Sequence, residues 1–483
     1  MVAHDTAGLP GLGGVRRVAR DFHGIAFSVF AVAFAIGTLI HEFQSTALWW
    51  IAIPIAVTAV VVILRPNRPA WLVLMLALLG VECVTALPDP INHQILMGVL
   101  GLTVGPWWLW MRLRAPEIAT DPAEMYRRLG PYLRLSFVIL WAAAALAKLN
   151  TGFTDVLASC SVWILQSIPG VQVPTPLHPL VIYGTIALEL SIATLLLFHR
   201  TRPFAIVLAF GFHLVSCFAG HSSFSGFAWS MYFLFLPPAV LARGVVLARR
   251  ALPEPVRAGV LTAAARPVAT AVALSAVWVG VRYGVADILL PRSLRGGARH
   301  WGAVILCVTW MLATGWLLLR LRAHWLPARG PRASLRVTSV LMILGIGLVL
   351  FTAAMPYVGL KTRAAFTMFS NLRTEPGHWN HLVIPEAVRI FDWQDGGDVR
   401  FIETDDPALE RKIAANEAQD VVLLGARRLV DDFPDATVRY TLDGIERVAA
   451  PVSADPVLGR PISAAQEQFG AIRPYVDGGT CQH

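Results

Sequence analysis

Long apolar runs alternate with short polar stretches along the first three-quarters of the chain. The runs reach about 16–22 residues, enough for a helix to cross a hydrocarbon core of roughly 30 Å. They fall at approximately 24–40, 47–64, 69–87, 93–111, 131–148, 179–198, 203–219, 226–242, 267–289, 301–320 and 337–357. The polar stretches between them are of two kinds. The amino-terminal tail, Arg65 and Arg68, Arg112 to Arg128, Arg200 and Arg202, Arg243 to Arg257, and Arg320 to Arg336 are rich in arginine. HEFQST, the segment around Pro88-Asp89-Pro90, 149–178 and 220–225 are poor in it. Basic loops stay on the cytoplasmic side. The amino terminus is therefore expected inside, and eleven crossings put the carboxyl-terminal region outside. One outer loop, 290–300, goes against the trend with Arg292, Arg295 and Arg299.

Beyond residue 357 the pattern changes. Apolar runs shorten to strand length in HLVIP, VRFIET and VVLL. ATVRYTLDGIERVAA alternates around Asp443-Gly444, a hairpin signal. PALERKIAANEA, 407–418, has the spacing of a short amphipathic helix. Residues 153–170 are too broken by polar groups for a span and fit an interfacial or re-entrant helix on the outer side. The expected fold is an all-α polytopic membrane bundle of about eleven spans with a small α+β extracytoplasmic domain. Its parts are a cytoplasmic tail, 1–23, a helical bundle, 24–357, and an extracytoplasmic domain, 358–483.

Composition sharpens this picture. The 483 residues are 56% hydrophobic, with mean hydropathy +0.59 and only 15% charged residues, against roughly 25% in soluble domains. The net charge of +9 is split: residues 371–483 hold 19 of the 31 acids but 11 of the 40 basic residues, a net of −8, leaving +17 elsewhere. The basic balance therefore reflects cytoplasmic loops and gives no sign of nucleic-acid binding. Arg16, Arg17 and Arg20 flank the first run, which is expected to act as an uncleaved signal anchor. The five cysteines have no metal-type spacing. Cys160 and Cys481 both fall outside, where they either pair as a disulfide or remain small buried residues. His378 and His381, in HWNH, lack a third ligand in the sequence, so no metal is expected there.

Ionisable groups are rare in hydrocarbon and usually face an interior or a wet cavity. His41 and Glu42 end the first span, and Glu189 lies mid-span in the sixth. Arg282 and Asp287 occupy the ninth. His93 follows Asn92 where the fourth span leaves the outer face. Lys148 ends the fifth span, and His213 lies in the outer half of the seventh. Threading thus places His93, Lys148 and His213 at one membrane face. A proton-handling pocket would need such a set. Each also has a packing role open to it, and Lys148 has the snorkelling of span-end lysines. Glu189 either pairs with Arg282 or bonds a neighbouring helix. The chain has 37 Arg and three Lys, namely Lys148, Lys361 and Lys412. An anchor could equally be Arg. A base could not, because guanidinium keeps its proton.

Four segments resemble the vitamin K-dependent γ-glutamyl carboxylase family and its bacterial relatives with a horizontally transferred transmembrane domain. They are INHQIL at 91–96, LAKLNTG at 146–152, the Phe212-His213 pair with the later MYFLFLPP, and AFTMFSNLRTEPGHWNHL after the last span. The resemblance covers roughly residues 20–400. It implies that Lys148 is the base that deprotonates a reduced lipid quinone of vitamin K or menaquinol type. It implies that His93 relays or tunes that proton with Asn92 in support, and that His213 helps form the quinone site. Oxygen and carbon dioxide are the implied co-substrates: the quinol anion reacts with oxygen, the resulting base takes a glutamate γ-proton, carbon dioxide adds, and the quinone leaves as its epoxide. The tail domain is much smaller than the carboxylase's luminal part, so the acceptor, a protein or peptide in that family, is open. The alternative is a non-catalytic membrane protein that binds lipid or quinone and presents its tail domain outside.

Overall fold

The computed structural model describes residues 12–45, 48–88, 90–251, 292–324, 334–415 and 420–473, together with Cys481 and a few positions between 251 and 292. Most of the expected span at 267–289, with Arg282 and Asp287, lies outside the described residues. The chain is mostly helical, with one small antiparallel sheet near its carboxyl end.

Five helices among the described residues are long and apolar enough to cross a membrane. They are α1 (Leu12–Gln44), α4 (Asn92–Arg114), α6 (Pro122–Ala147), α9 (His178–Leu197) and α13 (Arg292–Leu321). Four shorter apolar helices also match expected spans: α2 (Trp49–Leu64), α3 (Pro69–Thr85), α10 (Arg202–Phe218) and α14 (Val340–Ala354). Such a set of helices is compatible with a multi-pass membrane protein. The expected span 226–242 is instead broken. α11 (Ser222–Tyr232) runs through a 3-10 turn to Phe235, and α12 (Pro238–Ala251) leaves at 115°. The cause is Pro237-Pro238. Neither proline has an N–H, and a residue before proline is pushed out of the helical region; Leu236 is extended, with ψ 145°.

The chain divides into two compact units. The first comprises residues 1–82, 100–137 and 195–346. Its α1 and α11 cross where Gly37 meets Gly226, and Phe34 packs edge-on against Phe227. The break after α11 frees the Leu234 carbonyl. Buried Arg134 on α6 answers it, Nε donating at 2.6 Å, while Nη1 donates to Ser334 O at 2.8 Å. A charge inside an apolar run thus serves as a backbone cap.

The second unit comprises residues 83–99, 138–194 and 347–483. Its sheet has the order β2-β1-β3-β4, all antiparallel. The strands are β1 (Asp398–Thr404), β2 (Val421–Val422), β3 (Val438–Leu442) and β4 (Ile445–Ala449). The hairpin at Asp443-Gly444 forms as its sequence demands, both residues having positive φ, 52° and 79°. α15 (Pro407–Ala415) and α16 (Leu423–Val430) pack on the sheet through Leu409 and Ala426, against Val399, Val438 and Tyr440. Two expectations fail locally. Leu423-Leu424 open α16 rather than extend β2. HLVIP makes only an isolated bridge from His381 to Asn150, because its backbone turns to meet Leu149 instead of pairing in the sheet.

Candidate functional site

Lys148 sits one residue past the end of α6, in the second unit. Helical side chains lean back toward the preceding turn, and Nζ donates to Ala144 O at 3.3 Å. It also donates to Met368 O at 3.0 Å and stands 2.9 Å from Glu189 Oε2. The Phe153 ring lies 5.7 Å away. Lys148 is 3% exposed and Glu189 4%. Snorkelling requires the ammonium to reach water, so the burial rules it out. Glu189 is the twelfth residue of α9, about 16 Å along the axis from His178 at about 1.5 Å per residue. The ammonium therefore meets α9 near its middle, not at its end.

The segment after α14 wraps this site. Asn150 donates to Ala147 O at 2.7 Å and Ser370 O at 2.6 Å, and its Oδ1 accepts from Phe153 N at 2.7 Å. That last bond caps the short helix α7 (Thr151–Thr154). Asn371 donates to Ala158 O, and Asn380 to Asn371 O. Ala364, Phe366, Phe369 and Asn371 all have φ between 49° and 59°. Left-handed backbone costs roughly 1–2 kcal/mol per non-glycine residue, and it persists where the surroundings over-determine it. Here it turns the carbonyls of Met368 and Ser370 inward onto Lys148 and Asn150. Two of the four segments that carry the family resemblance, 146–152 and 365–382, are thus interlocked.

His381 belongs to the same wrap. Its Nε2 donates to Leu146 O at 3.0 Å, and Nδ1 accepts from Val383 N and Ile384 N at 3.1 and 2.8 Å. Both ring nitrogens are occupied by backbone. Burial holds its pKa below the usual histidine value, which matches the neutral tautomer these bonds require. His378 is drawn elsewhere, 2.5 Å from Asp398 Oδ2. The H-x-x-H spacing thus splits between two tasks. Cys160, at the start of α8 (Cys160–Gln166), forms a disulfide with Cys481 and ties the 149–178 segment to the chain end.

Asn92 and His93 begin α4 in this unit; His93 is buried, and Asn92 Oδ1 is buried with no hydrogen bond among the described residues. His213 lies in the first unit. It is fully buried on α10, with Nδ1 3.4 Å from Ser225 Oγ, Nε2 3.5 Å from the Tyr232 hydroxyl, and Phe212 and Phe224 against its ring. The first unit also holds a cavity of about 980 Å³, within the range of small-molecule sites. Val29, Ile36, Trp310 and Leu317 are among its walls, and the Arg20–Asp121 ion pair, 2.7 Å, lies on its lining.

The sequence offers both ends of the Lys148–Glu189 pair, and of the two roles open to Glu189, pairing with Arg282 or bonding a neighbouring helix, the structure has the second. Glu82, on α3, escaped sequence reasoning altogether. The usable signal was a lone acid in each of two apolar runs. Comparison with family models, with curated proteins and with solved structures gave no match to this chain.

Proposed function

We propose that the chain is an integral membrane enzyme of carboxylase-like type in which Lys148 is the base acting on a reduced lipid quinone. The observation that carries this reading is the buried pair of Lys148 with Glu189. A base must first lose its proton, and Glu189 Oε2 is the acceptor within reach. Transfer from ammonium to carboxylate leaves an amine and a carboxylic acid, with no net charge added to the buried site. The amine can then take a hydroxyl proton from a quinol. The Ala144 and Met368 carbonyls hold Nζ in place while this occurs, and the Asn150 bond to Ser370 O fixes the segment that carries Met368. His93 with Asn92 would relay or tune the proton, and His213 would contribute to the quinone site, as the resemblance implies. Oxygen and carbon dioxide would be the co-substrates; the γ-carbon of a glutamate in a protein or peptide would be the acceptor.

The orientation belongs to the same proposal: eleven spans, the amino terminus inside and the tail domain outside. Contacts between loops support it. Arg20 pairs with Asp121, joining segments expected inside. Gln44 bonds both Gly220 and Ser223, joining segments expected outside. The Cys160–Cys481 disulfide joins two further outer segments and fits an oxidising exterior. Each pair is separated by an even number of the expected spans.

The test uses the full chain in lipid nanodiscs with a reduced naphthoquinone and oxygen. Epoxide should form with wild type and fall to background with Lys148→Ala and Lys148→Arg. Equal epoxide from wild type and Lys148→Ala removes the enzyme reading. The cavity of the first unit favours a second reading, in which the bundle binds a lipid without chemistry. That reading expects a co-purifying lipid that is lost when Val29→Trp fills the cavity, and no epoxide from any variant.

A further inference from the structure

We propose that His41, Glu42 and Glu82 form a binding site for a divalent first-row transition-metal ion. All three belong to the first unit. His41 and Glu42 are adjacent near the carboxyl end of α1, and Glu82 stands near the end of α3. Their exposures are 0%, 0% and 1%. One donor atom from each lies within 4.8 Å of the other two. Two carboxylates so close together repel unless a proton or a cation lies between them. His41 Nε2 and Glu82 Oε1 are 3.4 Å apart. Two ligands about 2.1 Å from a common tetrahedral ion are separated by about the same distance.

The donor set selects the class of ion. An imidazole nitrogen is a poor ligand for calcium or magnesium and a good one for zinc, iron or manganese, which also accept carboxylate oxygen. Ser45 Oγ donates to Glu82 Oε1 at 2.8 Å. Outer hydrogen bonds of this kind orient ligating carboxylates. Nearby, Gln44 of the same helix end is fixed by Gly220 O and Ser223 N, which holds the last turn of α1 in place. Three protein donors leave a fourth position for water or a ligand. The ion would tie α1 to α3 and neutralise charge inside the bundle, independently of Lys148.

The experiment offers Zn²⁺, Mn²⁺ and Fe²⁺ separately to chelator-stripped full chain in detergent, removes free metal by gel filtration and measures what remains. Wild type should retain about one equivalent of at least one ion, and His41→Ala and Glu82→Gln should lower it tenfold or more. Less than a tenth of an equivalent of every ion on wild type overturns the site. Equal metal on wild type and on both variants also overturns it, as an adventitious ion only. If the variants fail to fold, electron spin echo spectra of Mn²⁺ on wild type decide. Coupling to one imidazole nitrogen supports the site, and its absence overturns it.

Discussion

Lys148 Nζ lies 2.9 Å from Glu189 Oε2, on two different helices, with both side chains closed off from solvent. Desolvating each ion costs several kcal/mol, and removing one partner of such a pair costs about 3–5 kcal/mol because the other is left buried and charged. Lys148→Met and Glu189→Leu should each destabilise the chain by that order. The double variant should recover most of the loss. Thermal unfolding in detergent measures the cycle. Losses that simply add would mean the two groups do not share one charge balance.

His381 supplies the pH dependence of the wrap around Lys148. Burial depresses its folded pKa below the ordinary value of about 6.5. The unfolded state therefore binds the proton more readily, and stability from this group is complete above about 6.5. It is lost as pH falls from there through the folded value. The structural reason is direct. A proton on Nδ1 would face the N–H groups of Val383 and Ile384, which now donate to it. Amide protection factors of residues 146–153 and 381–384, corrected for the intrinsic pH dependence of exchange, should fall on going from pH 7.5 to 5.5, and His381→Asn should flatten that change. Identical protection at the two pH values would remove His381 from the account.

Glycine contacts make a sharp contrast within the first unit. A Cβ on Gly37 would stand 2.6 Å from the Gly226 carbonyl oxygen and 3.3 Å from Ser230 Cβ. Close approach of helix backbones through small residues is a main source of cohesion in membrane bundles. Gly37→Ala should lower stability by about 1–3 kcal/mol through overpacking. Gly211, in the middle of α10, has nothing within 4 Å of its Cβ position. Gly211→Ala should be neutral or stabilising by about 0.5–1 kcal/mol, the helix penalty of glycine. Melting temperatures of the two variants that shift alike would contradict the α1–α11 contact.

The parts legible in the sequence are those set by local pattern. Apolar length placed α1, α4, α6, α9 and α13, and the Asp443-Gly444 turn placed its hairpin, because each signal is complete within a few residues. Pro237-Pro238 was equally legible as a break, but hydropathy averaged over the run hides two prolines. Glu82 was hidden the same way, one acid in the 17 residues of α3. The Lys148 site was only half legible. Its partners come from α9 and from the coil after α14, and loop closure on that scale has no local signal. The left-handed Ala364, Phe366 and Phe369 go against the preferences of their own side chains. Their conformation follows from tertiary contacts alone.

Asn150 separates a helix cap from a clasp. Its Oδ1 accepts from Phe153 N, and both amide protons go to carbonyls, those of Ala147 and Ser370. If capping α7 were its whole task, Asn150→Asp would be harmless, since aspartate is as good an N-cap as asparagine. The clasp gives the opposite expectation. Aspartate keeps the acceptor but loses both donors, and it sets a carboxylate against two carbonyl oxygens in a buried site. Each carbonyl left without its bond costs about 1–3 kcal/mol, and the buried charge adds to that. Asn150→Asp should therefore be worse than Asn150→Ala, which loses the same bonds without the repulsion. Because Ser370 lies two residues from Met368, the carbonyl on Lys148 Nζ should be released with it. Amide exchange across residues 361–381 should rise in the order wild type, Asn150→Ala, Asn150→Asp. An Asn150→Asp variant as protected as wild type would reduce Asn150 to a cap and leave Lys148 held by Glu189 and its own helix.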